Sequence, residues 1–99
     1  MAVAIINDWR VQDRSTVSYD RLVELTRTRE DPPAGLIFHC AGFVDDATWR
    51  VFDVWQSQED ADRFFLERLM PALGQLPPDA AGGPPDAVVA YELHARQGG

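Results

Sequence analysis

The chain has 99 residues, 45% hydrophobic and 10% aromatic, and carries a net charge of −7. That length fits one compact domain, which buries only roughly 60–65% of its unfolded surface and so gains from a partner subunit. All nine basic residues are Arg, and the acidic balance repels phosphate backbones and anionic lipid surfaces, so neither nucleic acid nor membrane is expected as a partner.

The first nine residues, MAVAIINDW, have no basic region, and their apolar run is far below the ~18 residues that span a bilayer. A soluble protein in a reducing cytoplasm is therefore expected. Val3 to Trp9 is apolar, β-branched and without helical spacing, and reads as a first strand. After a polar connection, Ser18 can cap a helix running from Tyr19 to about Arg29. Tyr19, Leu22, Val23 and Thr26 make its apolar face. Asp31-Pro32-Pro33-Ala34-Gly35 stops it. Leu36 to Phe43 and Thr48 to Trp55 read as the second and third strands, with residues 44–47 between them and Asp45-Asp46 suited to the turn. Ser57, with Asp60 three residues later, resembles a capping box opening a second helix. Ala61, Phe64, Phe65, Leu69, Ala72 and Leu73 trace its stripe, and Pro71 predicts a kink or tightening near Met70. The stretch 77–85, PPDAAGGPP, reads as a linker, Asp86 to Arg96 as a fourth strand, and 97–99 as a frayed tail.

The order β-α-β-β-α-β predicts an α+β, ferredoxin-like domain over residues 1–96, an antiparallel four-stranded sheet with both helices on one face. The strands AVAII, LIF and AVVAY are apolar on both faces, which a one-sided antiparallel sheet does not need. A symmetric homodimer packing sheet against sheet would cover the second face.

Residues 35–57, GLIFHCAGFVDDATWRVFDVWQS, place His39, Arg50 and Asp53 among aromatics on these strands. Buried polar groups need partners or a purpose, so chemistry is sought here. A desolvated Asp can act as a general base, which is one reading of Asp53; the others are a pair with Arg50 or a dimer contact. Free imidazole changes charge near neutrality, so His39 is a second candidate proton carrier, or else a core or interface His bonded to backbone. Register decides whether they meet. A loop over 44–47 sets Phe43 against Thr48 and His39 against Phe52, which puts His39 and Asp53 on opposite faces. A bulge shifting the pairing by one puts them on the same face, and both registers fit the sequence. Trp9 and Trp49 suit a core or pocket wall, and Tyr91 a rim position with its hydroxyl toward a ligand. Cys40, the one cysteine, reads as a buried strand thiol and excludes an internal disulfide or a Cys-based metal cluster. The sequence has no Gly-rich phosphate loop, nucleophile elbow, HExxH or metal-ligand spacing, so no metal or other cofactor is expected. An RNA-recognition domain shares the element order, but its aromatic and basic third-strand signature is absent.

The segment WRVFDVWQSQEDADRFF, a third strand ending in Trp-x-Ser before an acidic helix start, resembles the dimeric α/β-barrel superfamily and its antibiotic-biosynthesis monooxygenases. The resemblance covers nearly the whole chain in topology. It implies a dimeric α/β barrel with a pocket between helices and sheet. Relatives of this kind include cofactor-free oxygenases of polyphenols, haem-degrading enzymes and polyketide cyclases. The haem branch uses a first-strand Asn, a third-strand Trp and a second-helix His; Asn7 and Trp55 match by location, but the His position falls near Phe65, so no haem is expected. The polyphenol branch shares the third-strand Trp, although Val51 stands where a polar companion is expected. The resemblance thus implies a cofactor-free enzyme that oxygenates or cyclises an aromatic or polyketide-like molecule. Asp53 or His39 would move the proton, and Trp55, Phe38, Trp49, Tyr91, Asn7 and Phe65 would line the pocket. A non-catalytic binding or interaction module of the same fold is the alternative.

Overall fold

The computed structural model describes residues 1–76 and 84–97 and has the element order βαββαβ. Strands β1 (Val3–Arg10), β2 (Leu36–Asp45), β3 (Thr48–Trp55) and β4 (Ala87–Glu92) form one antiparallel sheet in the order β2-β3-β1-β4. Helix α1 (Val17–Thr26) joins β1 to β2. Helix α2 (Gln58–Phe64), a π turn (Phe65–Leu69) and α3 (Met70–Leu73) follow β3 as one interrupted helix. The fold is the ferredoxin-like α+β arrangement that the sequence pattern predicts. Of the expected linker, residues 77–83 lie outside the described residues, as do residues 98–99 of the expected tail.

Several boundaries differ from expectation. Helix α1 begins at Val17 rather than Tyr19, with Thr16 rather than Ser18 at its N-cap. It ends at Thr26 because Arg27 turns left-handed (φ 57°, ψ 34°) and donates its N–H to the Val23 carbonyl. The freed Thr26 carbonyl accepts the Arg68 guanidinium, which also donates to the Asp31 carbonyl at 2.8 Å. A side chain from the second helix thereby caps the first, as helix C-termini require. Ser57 caps α2 as expected, its Oγ accepting the Asp60 N–H at 3.1 Å. Near Pro71 the helix widens instead of tightening. Pro71 has no N–H for the Glu67 carbonyl and its ring crowds that oxygen. The ladder slips to a five-residue spacing, with Met70 N–H donating to Phe65 O. Strand β4 is shorter than expected because it pairs with β1 only from Asp8↔Ala87 to Val3↔Glu92. Beyond that ladder the Leu93 N–H donates to Ala2 O at 2.8 Å.

Register assigns the two faces. Trp55 is 3% exposed and packs with Val3, Ala61, Ile5, Leu36 and Phe64, so the face carrying Trp55, Asp53, Val51 and Trp49 lies under the helices. The opposite face carries Arg50, Phe52, Val54 and, from β4, Tyr91 and Val89. On it Arg50 makes a two-pronged pair with Asp8 (2.8 and 2.9 Å) and holds the Asp8 carboxyl below the usual carboxylate range. Arg50 is therefore not the partner of Asp53. Among the described residues, no helix is long and apolar enough to cross a membrane.

Candidate functional site

The hairpin turn builds the site. Asp45 Oδ1 accepts the Ala47 N–H at 2.8 Å, a bond that also lowers the Asp45 pKa. This closes a two-residue turn at Asp46-Ala47 with Asp45 opposite Thr48. A bulge at Val44 then brings Phe43 opposite Trp49 and His39 opposite Asp53. The bulged register is the one adopted. It moves His39 to the helix-facing side and sends Phe38 and Cys40 to the other.

His39 Nδ1 lies 2.5 Å from Asp53 Oδ1, and His39 Nε2 lies 2.6 Å from the Tyr19 hydroxyl on α1. Burial first, and then the Asp53 carboxylate, raise the Tyr19 pKa, so near neutrality the residue is a phenol and donates to Nε2. Nε2 is then the acceptor and Nδ1 carries the hydrogen given to Asp53. The chain Tyr19 O–H→His39→Asp53 fixes the imidazole tautomer and leaves it ready to take one proton. The Tyr19 and His39 rings are nearly parallel, 2° apart with centroids at 6.1 Å. Trp49 leans on Tyr19 at 5.1 Å, and Phe43 packs edge-on to Trp49 at 4.8 Å. Arg14 lies 4.5 Å over the Phe43 ring and pairs with Asp46, tying the β1–α1 connection to the hairpin tip. The His39 side chain is 36% exposed and that of Asp53 18%, so the relay is reachable from solvent.

The expected site residues divide accordingly. His39, Asp53 and Trp49 come together, and Asn7, opposite Val51, shares their face. Trp55 does not line an opening: it fills the space beneath α2 with Phe64, at a ring separation of 5.5 Å. Phe38 and Tyr91 sit on the opposite face, 46% and 47% exposed, Phe38 edge-on to Phe52. Cys40 is exposed on that same face instead of buried, as the bulge dictates. Phe65 lies on the π turn and is exposed. Tyr19 was read only as part of an apolar helix stripe; the available signal was its hydroxyl on the helix face that packs on the sheet. Two open clefts lie away from the relay. One of about 560 Å³ sits between the end of α1 and the π turn, beside Arg27, Glu67 and Arg68. The other, about 270 Å³, is on the opposite face beside Cys40 and Phe52. No group of residues suited to holding a metal ion occurs among the described residues.

No protein-family model matches the chain, and no curated protein matches it in sequence. Solved structures do match in fold. Rv0793 from Mycobacterium tuberculosis aligns with a TM-score of 0.70 at 14% identity, over 99% of this chain and 100% of its own. SnoaB, a cofactor-independent oxygenase from Streptomyces nogalater, aligns at 0.65 and 15% identity, over 98% and 95%. The haem-degrading protein Rv3592 from Mycobacterium tuberculosis aligns at 0.56 and 16% identity, over 99% and 100%. A putative antibiotic biosynthesis monooxygenase from Chloroflexus aurantiacus aligns at 0.65 and 13% identity, over 99% and 98%, so the chain shares the ferredoxin-like fold of these proteins.

Proposed function

We propose that the protein is a cofactor-free enzyme acting on an aromatic or polyketide-like small molecule, working on the helix-facing side of the sheet in each subunit of a cytoplasmic homodimer. The observation that carries this reading is the His39–Asp53 pair at 2.5 Å, oriented by Tyr19 and set beside Trp49. A hydroxyl or activated C–H of the substrate gives its proton to this relay, and the substrate anion carries the reactive electrons. In an oxygenation the anion passes an electron to dioxygen, the co-substrate, and the two radicals recombine as a peroxide; the relay returns a proton to it, and the hydroperoxide loses water across its O–O and C–H bonds to leave one oxygen atom as a carbonyl. In a cyclisation it attacks a carbonyl carbon of the same molecule. The fold likeness to a cofactor-independent oxygenase supports the reading. Haem is not proposed, because residues 58–73 of the second helical segment contain no His. Exposed Phe38, Val89 and Tyr91 on the far face support the homodimer.

One observation favours a non-catalytic binding module instead: Trp55 and Phe64 fill the space beneath α2. Dioxygen uptake with 1,8-dihydroxyanthrone, in chelator and without added flavin or metal, separates the two. Catalysed uptake with one dioxygen-derived atom in the product, read by mass spectrometry under heavy-isotope dioxygen, supports oxygenation. Saturable binding without uptake supports the module.

A further inference from the structure

We propose that Tyr19 is itself a catalytic residue, the substrate-facing end of the relay, whose oxygen takes the proton of a ring hydroxyl while its own proton passes to His39. The inference deepens the enzymatic reading above and rests on it for the location of the site. Both nitrogens of His39 are engaged, Nδ1 by Asp53 and Nε2 by Tyr19. A substrate cannot reach either nitrogen without displacing one of these partners. Tyr19 Oη spends its single hydrogen on Nε2 and keeps lone pairs with which to accept a proton. The Trp49 ring leaning on Tyr19, with Phe43 behind it, supplies an aromatic wall on which a flat ring can pack.

The transfer is balanced. The substrate O–H bond breaks as a Tyr19 O–H bond forms. The former Tyr19 O–H breaks as a His39 Nε2–H forms. The products are a phenolate, a tyrosine restored to its neutral form, and an imidazolium held by Asp53. No oxidant takes part in this step. Burial and the Asp53 carboxylate disfavour an anion at Tyr19, and the positive charge of Arg29 offsets them in part, so the proton has to move on to His39. The substrate class that follows is a hydroxylated ring with an ionisable hydroxyl, not its methyl ether.

The test uses 4-nitrophenol, whose yellow phenolate reports its own ionisation, with the full-length wild-type chain and Tyr19→Phe, which keeps the ring against Trp49. The wild type is expected to bind the probe and turn it yellow at a pH where the free probe is colourless. Tyr19→Phe should bind it about tenfold more weakly and leave it colourless. If Tyr19→Phe fails to fold by circular dichroism, His39→Gln replaces it. Its amide can accept the Tyr19 hydroxyl but cannot take a proton, so the bound probe should stay colourless. A wild-type chain that does not bind the probe, or binds it without shifting its colour change, overturns the proposal. So does a shift that survives in the variant. Failure of the enzymatic reading looks different: the probe ionises through Tyr19, yet 1,8-dihydroxyanthrone is not oxygenated.

Discussion

Replacing Asp53 by Asn preserves side-chain size and removes the charge that holds His39. The Nδ1–H bond to the Asp53 carboxylate is charge-assisted, a class worth about 1.5–3 kcal/mol. With His39 at 36% and Asp53 at 18% side-chain exposure, solvent screening lowers the expected loss to about 1 kcal/mol. In a domain of this size that moves the melting temperature by about 4–8 °C. The effect on chemistry should be far larger. An Asn amide can donate to Nδ1, which puts the imidazole hydrogen on Nε2 and reverses the bond to Tyr19. The proton acceptor is then lost, at an expected cost of about 10²–10⁴ in rate. Dioxygen uptake or ring closure, differential scanning fluorimetry and light scattering on Asp53→Asn read the three quantities together. Dissociation or a melting shift well beyond 8 °C, with turnover unchanged, would make Asp53 a structural residue and refute the relay.

Gly35→Ala should cost about 2–4 kcal/mol in urea titration, because Gly35 has φ 87° and a Cβ there would meet the Asp60 carboxyl carbon at 2.4 Å. Arg68→Ala should cost about 1–2 kcal/mol and speed amide exchange at the end of α1, since it strips the cap from the Thr26 and Asp31 carbonyls. Phe38→Glu puts a charge on the exposed far face. It should leave a monomer by light scattering with the fold intact, and an unchanged dimer mass would remove that face from the interface. Tyr19 has a raised pKa, so its contribution to stability is complete below the ordinary tyrosine value of about 10 and is lost as pH rises through the folded value. Ultraviolet titration should show one tyrosine ionising late, with stability falling in that alkaline window, and Tyr19→Phe should abolish the late step.

The strands were legible because Val3–Trp9 and Thr48–Trp55 are apolar runs too short and too β-branched for helices, and the Pro-Pro-Ala-Gly stop and the Ser57 cap are local chemistry. The ends of the elements were less legible because distant partners set them: Arg68 caps α1, and the start of β1 limits β4. The site turned on a one-residue question. Asp45 can close its turn through its own side chain, and only then does Val44 bulge and His39 change faces. Phe38 missed the site by the same change of parity, Tyr91 because it pairs with Ala4 on the far face, and Trp55 because Phe64 claims its ring. Tyr19 was hidden because a tyrosine on an apolar stripe looks like packing until the sheet beneath it shows an acceptor for its hydroxyl.

The relay itself is tested most directly by nitrogen-15 NMR of the His39 imidazole, assigned against a His94→Gln control. The account predicts a neutral ring with its hydrogen on Nδ1, a strongly downfield Nδ1 proton that disappears in Asp53→Asn, and an Nε2 shift that moves in Tyr19→Phe. A ring carrying its hydrogen on Nε2, or one averaging freely between tautomers and indifferent to both substitutions, would contradict it.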